Sequence, residues 1–347
     1  MLWHSSGYTR AQLQSDQAKL IFLLVQLMLL CWASYNVMRE ERNALAALLT
    51  FAASCTIFAV IHIFGFARTS TEVASNVERL STFGQNPNTL ARHLGVAVLI
   101  LIGLSYGRRK PAFPFSIVVW PFVALILFAI ESTGARGGVL ALGAGLLFFA
   151  LGGEGPAARI RNIVVVVLAI SFCLWMVLQS ETMAQRFERS YDEGSMAQRE
   201  NLYPAAWKMV LERPLLGFGP TLNMWELGSR VGEPDHPFRD THDLLLEILT
   251  VTGALGAIPF FAGVLLCLYS AWIGRWGPEG VLPLATMVAI LVSNIGANLL
   301  YDKFYWLLMA YALASKDTWS DRYRAMHDFG DSGYSRSSTS ERLSVNL

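Results

Sequence analysis

Nine apolar runs constrain this chain of 347 residues more than any other feature of its sequence. A helix needs roughly 20 apolar residues to cross a hydrocarbon layer about 30 Å thick. Backbone polar groups in lipid must be satisfied within the protein, so we predict helices rather than open strands. The runs lie at about 18–38, 44–66, 88–105, 113–130, 137–153, 162–180, 243–272 and 280–300, with a shorter one at 303–315.

The composition agrees with a membrane protein. Charged residues make up 15% of the chain, whereas a soluble domain carries about a quarter. The net charge of +1 gives no field that would attract a nucleic acid. The four cysteines have no metal-binding or disulfide spacing and are predicted to be small core residues. They are Cys31, Cys55, Cys173 and Cys267, all within apolar runs. We therefore predict an all-α, polytopic bundle without metal or cofactor.

Basic residues predict the orientation of this bundle. They recur on one side of the spans, which the positive-inside rule makes cytoplasmic. The polar insertion 181–241, with seven Lys/Arg against ten Asp/Glu, then faces outward. Nine spans and a cytoplasmic C-terminus place the N-terminus outside, so an early span is miscounted or upstream spans are missing. The predicted parts are a polar segment 1–17, a membrane domain 18–315 and a disordered tail 316–347.

The outward insertion contains an amphipathic pattern over 196–213 that predicts a helix lying at the membrane surface. The residues sharing its apolar face are Leu202, Ala206, Met209 and Val210. Pro214 ends the helix, and a tight turn follows at 215–220. The helix can hold Arg199 over the mouth of the spans, although a solvated arginine on its polar face is an equally simple interpretation.

Two further outward positions are candidates for chemistry. Arg136 follows the turn Glu131–Ala135 and is flanked by glycines, an arrangement that can bind an anion. The alternative is an arginine that snorkels to the interface. His242 stands where the insertion re-enters the membrane. We expect Asp240 or Thr241 to cap the next helix, which places His242 in its first turn. A neutral histidine there is a candidate general base, and a structural role remains open.

Polar residues inside two spans give weaker signals. Asn88 opens one span and Arg92 lies a turn deeper, which indicates either a binding site or ordinary capping and snorkelling. Asn294, Asn298 and Tyr301 share one face if the run 280–300 is a continuous helix. Polar groups at that depth usually face the bundle interior or a cavity. Hydrogen bonds between helices explain them equally well.

Three motifs in order resemble the O-antigen ligase family, which includes polysaccharide polymerases and protein O-glycosyltransferases. They are STGARGGVLALGAG, QRENLYPAAWKMVLERPLLGFGP and THDLLLEILTVTGALGAIPF. The resemblance covers about 80–315, with its core at about 115–270. The sequence departs from the family pattern at Ala135, where serine is usual, at Asp243, where asparagine is common, and at Val251, where many members have a carboxylate.

The resemblance implies an enzyme of the bacterial inner membrane that builds surface polysaccharide, such as lipopolysaccharide or exopolysaccharide. It implies transfer of a glycan from an undecaprenyl-diphosphate carrier to a hydroxyl of lipid A-core, a growing glycan or a protein. The resemblance implies metal-independent catalysis, and a single displacement of this kind would invert the anomeric configuration. Arg136, Arg199 and His242 match the family's catalytic positions. The two arginines are expected to bind the diphosphate with Asn88, Arg92 and Asn298, and His242 to act as the base.

Two other classes remain open from the residues alone. One is a transporter or flippase for an anionic lipid or solute, with the arginines as its binding site. Such proteins usually contain internal repeats, and this sequence shows none. The other is a non-catalytic membrane component of an envelope-assembly complex, which would tolerate the loss of His242.

Overall fold

The computed structural model describes residues 10–66, 68–72, 78–106, 115–150, 156–179, 199–231 and 238–318. In chain order the elements are α1 (Arg10–Met38), α2 (Glu41–Ile63), β1 (Arg68–Glu72), β2 (Glu78–Thr82), α3 (Pro87–Tyr106), α4 (Phe115–Ser132), α5 (Arg136–Phe149), α6 (Pro156–Gln179), α7 (Arg199–Glu212), α8 (Pro220–Val231), α9 (Leu244–Gly274) and α10 (Leu282–Asn294). A last helix, α11, covers 303–318.

The predicted helical membrane bundle is confirmed. Four helices are long and apolar enough to cross a bilayer, within the part of the chain that the structure describes. These spans are Gln14–Met38, Glu41–Ile63, Pro87–Ser105 and Leu244–Gly274. Shorter apolar helices cover Val118–Ser132, Arg136–Phe149 and Leu282–Asn294. The chain is thus an integral membrane protein, and the nine-span count stays a prediction.

One element departs from the expectation of an all-α fold. β1 and β2 form an antiparallel hairpin in which Arg68 pairs with Thr82 and Glu72 with Glu78. Both strands lie outside the apolar runs, between α2 and α3. Thr69, Thr71 and Thr82 are β-branched residues, which favour extended structure where no helical apolar pattern competes.

The main core is built around α3, the most enclosed of the four spans. It packs against α2, α4, α5 and α10. Small residues allow the close approach of α3 to α5, since a Cβ on Gly138 would lie 2.7 Å from the Ala91 side chain. Such small-residue contacts are a common way to pack helices in lipid, where burial of apolar surface gives little driving force. The cysteine prediction is confirmed for Cys55 and Cys267, which are buried; Cys31 is partly buried.

A second, smaller core joins α7 to α8 and the start of α9. Its buried members are Leu202, Ala206, Met209, Phe218 and Leu227. The apolar face predicted for the amphipathic helix is therefore buried, but it packs against protein instead of lipid. Other apolar side chains of this region point outward, namely Trp207, Leu211, Leu215 and Leu216.

The helix after α9 is shorter than its apolar run. α10 ends at Asn294, so the predicted shared helical face of Asn294, Asn298 and Tyr301 is wrong. Side-chain carbonyls stop the helix, because Asn294 accepts a hydrogen bond from the Leu299 N–H (3.1 Å) and Asn298 from the Leu300 N–H (3.1 Å). Asparagine commonly competes with helix in this way. The result is a non-helical segment, 295–302, between α10 and α11.

At both ends of the described chain, helices extend into segments that the sequence predicted to lie outside the membrane domain. Residues 10–17 of the polar N-terminal segment already belong to α1. At the other end, α11 continues through residue 318. Asp317 accepts a hydrogen bond from the Tyr35 hydroxyl (2.6 Å) and pairs with Arg39 (3.2 Å), which ties α11 to α1. The rest of the predicted tail lies outside the described residues.

Candidate functional site

Arg136 is the first residue of α5, as the glycine-flanked turn predicts. The turn is ordered by Thr133, whose hydroxyl donates to the Ile130 carbonyl (2.7 Å) and accepts from the Ala135 N–H (3.2 Å). Ala135 caps the helix through its backbone alone. Among the described residues, a Cβ on Gly137 would meet nothing within 4 Å. The first turn of α5, the positive end of its dipole, is therefore open on that side.

A buried histidine supports the same turn from α2. His62 lies 2.8 Å from the Ser132 hydroxyl, which itself donates to the Ala129 carbonyl (2.9 Å). Because that hydroxyl hydrogen is used, the ring N–H of His62 donates to Ser132. The contact fixes the end of α4 immediately before the turn that leads to Arg136.

The glycine turn after α7 docks onto a break in α9. Gly253 has φ +62° and ψ −167°, which interrupts the helix. The carbonyls of Thr250 and Val251 accept from the N–H groups of Phe218 and Gly219, both at 2.8 Å. In return, the N–H groups of Ala254 and Leu255 donate to Pro214 (2.7 Å) and Leu215 (3.2 Å). The turn thus satisfies the backbone groups that the break releases, as a helix interrupted within a membrane requires.

The close contact between the turn and the break in α9 explains why glycine is present at Gly217 and Gly253. A Cβ on Gly217 would lie 2.6 Å from the Thr250 carbonyl oxygen, and one on Gly253 would lie 2.3 Å from the Leu215 carbonyl carbon. Gly217 and Gly219 also have φ of +64° and +81°, which glycine adopts without steric cost. The second and third motifs are therefore two halves of one backbone junction.

The turn that carries His242 differs from the sequence prediction. The N-cap of α9 is Asp243, whose carboxylate accepts from the Leu246 N–H at 2.9 Å. The expected cap at Asp240 or Thr241 is wrong, and His242 precedes the helix instead of entering its first turn. Its φ of +49° is incompatible with a continuing helix and is uncommon for a residue other than glycine.

Asp240 and His242 form a carboxylate–imidazole pair. Asp240 Oδ1 lies 2.5 Å from His242 Nδ1 and accepts from the His242 backbone N–H at 3.2 Å. With the proton on Nδ1, Nε2 carries the lone pair that can accept a proton from a substrate. The side chain of His242 is 44% exposed and therefore accessible. The role of Asp240 was not predicted, because only the left-handed backbone at His242 brings its carboxylate to the ring.

Arg199 is the first residue of α7, and its side chain lies outside what the structure describes. The two helices of this region are joined by Arg230 of α8, which makes a bidentate contact with Glu212 of α7 (2.6 and 2.7 Å). These hydrogen bonds lower the pKa of Glu212. The pair fixes α7 relative to α8, and with it the backbone from which Arg199 projects.

Arg92 and the residue after it both contact the segment 295–302. Arg92 is buried, and its guanidinium donates to the Gly296 carbonyl at 3.5 Å, so it does not snorkel. His93 pairs with Asp302 at 3.0 Å. Burial opposes ionisation of Asp302, but its pKa is held below the usual range by His93 and the Phe304 N–H. Sequence reasoning missed this pair, which joins residues 209 positions apart.

The other two predicted binding residues have structural contacts. Asn88 lies in the first turn of α3, where its N–H donates to the Asn86 side chain at 2.9 Å, as the capping interpretation predicts. Asn298 uses its side-chain carbonyl within the segment 295–302. Neither contact tests the predicted role in binding.

These elements meet at one end of the bundle. The start of α3 packs on the start of α5 through Ala91 and Gly138. Arg92 and His93 of α3 hold the segment 295–302, and the Tyr203 hydroxyl of α7 donates to Ile295 of that segment (3.3 Å). α7 in turn packs on α9, which begins beside His242. A series of contacts thus links the helices that begin at or beside Arg136, Arg199 and His242. In the described residues, no group of three His, Cys, Asp or Glu side chains is arranged to hold a metal ion.

Comparison with known families finds one model that matches part of the chain. Residues 121–261 match the family model described as O-antigen ligase. The match includes Arg136, Arg199 and His242 and both halves of the glycine junction. No curated protein matches the chain.

Proposed function

We propose that this chain, of which residues 121–261 match the O-antigen ligase family model, transfers a glycan from an undecaprenyl-diphosphate carrier to an acceptor hydroxyl in surface-polysaccharide assembly. The observation that carries the proposal is the Asp240–His242 pair, which lies within the matched residues and leaves an accessible imidazole. The site faces the periplasm or cell exterior, the bundle has about nine spans, and the membrane is the bacterial inner membrane.

The proposed chemistry is a single displacement at the anomeric carbon. His242 Nε2 takes the proton from the acceptor hydroxyl as its oxygen forms the new glycosidic bond. The bond from the anomeric carbon to the diphosphate oxygen breaks, and the lipid diphosphate leaves with the electron pair. Attack from the opposite face inverts the anomeric configuration. Asp240 keeps the ring in the required tautomer, as a carboxylate does in other histidine-containing sites.

The arginines bind the leaving group in this proposal. Arg136 begins α5, so its guanidinium and the positive helix end both favour an anion. Arg199 begins α7 and is proposed to provide a second cation. Bidentate guanidinium contacts stabilise the charge that develops on the diphosphate. Asn88, Arg92 and Asn298 are proposed to line the carrier path. The acceptor is lipid A-core, a growing glycan or a protein hydroxyl.

Replacement of either arginine by lysine is expected to lower the rate of transfer roughly 10- to 100-fold, because an ammonium lacks the planar fork of donors. The measurement is glycan transfer in membranes containing Arg136→Lys or Arg199→Lys. Arg159→Lys, an exposed arginine near the start of α6, is the matched control and should keep wild-type transfer. Wild-type rates in both test variants would contradict the assignment.

Transfer is expected to continue at its full rate in EDTA, because arginines supply the positive charge that a divalent ion supplies in other transferases. The measurement compares initial rates of detergent-solubilised protein before and after chelation, with and without added Mg²⁺. A loss of transfer that Mg²⁺ restores would overturn the arginine mechanism.

A deletion strain distinguishes transfer from transport. The transferase proposal predicts that carrier-linked glycan accumulates on the outer leaflet of the membrane, where an added glycosidase can reach it. Loss of a flippase would leave the same intermediate on the cytoplasmic leaflet. If the deletion strain accumulates carrier-linked polymer that is not joined to its acceptor, the protein is a ligase. If the strain makes single glycan repeats without long chains, the protein is a polymerase. Accumulation on the inner leaflet would contradict the proposal.

A further inference from the structure

A buried carboxylate lies directly under the turn that carries His242. Glu247, four residues into α9, is only 1% exposed. Its Oε2 accepts from both the backbone N–H of Thr241 (3.2 Å) and the Thr241 hydroxyl (3.0 Å). The proposed chemistry uses neither residue. An ionisable residue enclosed in a membrane helix is costly and usually has a specific task.

The backbone of His242 needs such support. A non-glycine residue with φ of +49° persists only where its surroundings determine the conformation. Asp240 accepts from the N–H of His242 itself, and Asp243 anchors the following helix by capping it. Thr241, wholly buried between them, is held through Glu247. The single hydrogen of the Thr241 hydroxyl is shared between Glu247 Oε2 and the Asp243 carbonyl (2.8 Å), so this residue joins both sides of the turn.

Glu247 also connects the turn to the rest of the site. Asn223 of α8, fully buried, lies near this carboxyl group, although it does not meet the geometry of a hydrogen bond. The enclosed hydroxyl of Tyr301, in the segment 295–302, is within electrostatic reach of Glu247. One carboxylate therefore lies where α8, α9 and the segment 295–302 converge beneath His242.

We propose that Glu247 is a positioning residue that, through Thr241, fixes the His242 imidazole where it can accept the proton of the acceptor. The inference rests on the proposed function for the identity of the reaction. It does not depend on that function for the structural link from Glu247 to His242. A carboxylate that only filled the core would affect the stability of the protein without changing the reactivity of the imidazole.

The test uses variants that keep the shape of the turn. Thr241→Val removes the hydroxyl, Thr241→Ser retains it, and Glu247→Gln replaces the carboxyl group by an amide with little change in volume. Thr250→Val is the matched control. Thr250 is as buried as Thr241 and lies on α9 with Glu247, but within the described residues its hydroxyl bonds to backbone carbonyls alone, those of Leu246 and Glu247.

Two readouts are measured on each purified, folded variant. The first is the pH profile of glycan transfer, with kcat and KM determined separately. The second is the rate at which diethyl pyrocarbonate acylates His242, followed by peptide mass spectrometry, which needs no substrate. Thr241→Val and Glu247→Gln should lower kcat roughly 10- to 100-fold without raising KM for the donor, as small misplacements of a reacting group do. Both should change the acylation rate and the pH profile, while Thr241→Ser and Thr250→Val should not.

The two proposals fail in different ways. The positioning role would be overturned if folded Thr241→Val or Glu247→Gln kept the wild-type kcat and the wild-type acylation rate of His242. It would also be overturned if Thr250→Val changed both quantities as much as these variants do. If Glu247→Gln does not fold, the comparison of Thr241→Val with Thr241→Ser decides the matter. Transfer that survives removal of His242 would instead refute the base assignment, and the acylation rates would still measure the link between Thr241 and the imidazole.

Discussion

Replacement of His242 by alanine is expected to lower the rate of glycan transfer about 10²- to 10⁴-fold, the usual contribution of a general base. The protein should still fold, at the small cost of placing alanine in the left-handed backbone of this position. The imidazole is 44% exposed and pairs with Asp240, so its removal opens no cavity in the core. The measurement is the initial rate of transfer by purified protein, corrected for the fraction that is folded.

A second variant separates the base from the backbone. Alanine is less suited than histidine to the left-handed conformation at this position, whereas asparagine tolerates it. His242→Asn should therefore keep the turn intact and still lose transfer. Asp240→Asn should retain part of the activity, because it weakens the orientation of the ring without removing the ring. Wild-type transfer by folded His242→Asn would exclude His242 as the base.

Gly253→Ala is expected to have the largest effect on the fold. A Cβ there would lie 2.3 Å from the Leu215 carbonyl carbon and 2.4 Å from its oxygen, and neither backbone atom can move without breaking the junction. The φ of +62° with ψ of −167° also lies in a region that only glycine adopts readily, which adds about 1–3 kcal/mol. Loss of most folded protein is expected, measured by thermal unfolding and size-exclusion chromatography in detergent.

Gly263→Ala provides the control on the same helix, because a Cβ there would meet nothing within 4 Å in the described residues. It should leave the unfolding temperature at or slightly above that of the wild type, since alanine favours helix over glycine. Equal stability of Gly253→Ala and Gly263→Ala would mean that the glycine turn does not dock onto the break in α9.

Local patterns predict much of this fold. Apolar runs indicate the membrane helices, and the spacing of Leu202, Ala206 and Met209 correctly identifies the buried face of α7. The same patterns fail where distant backbone groups pair. The apolar run 243–272 gives no sign of a broken α9, because the break is stabilised by the turn 214–219, which lies in another part of the chain. Likewise, the end of α10 depends on two asparagine side chains that bind N–H groups beyond the helix.

The site is predictable only in part, for a similar reason. Residue types and their order indicate Arg136, Arg199 and His242 as candidates. The backbone conformation at His242, however, depends on hydrogen bonds made by Asp240, Asp243 and Glu247. A signal for Glu247 was present, since this carboxylate stands between apolar residues on both sides, five residues after His242. The pair of His93 and Asp302 gives no comparable signal, because the two residues meet only when α3 and the segment 295–302 pack together.

The central claim is tested most directly by reconstitution. Purified protein is placed in lipid vesicles with a polyprenyl-diphosphate-linked oligosaccharide and a glycan acceptor, and both products are quantified over time. We expect one molecule of lipid diphosphate to be released for each new glycosidic bond, with inverted anomeric configuration, and neither product from His242→Asn. Release of lipid diphosphate without bond formation, or equal transfer by His242→Asn, would contradict a glycan transferase that uses His242 as its base.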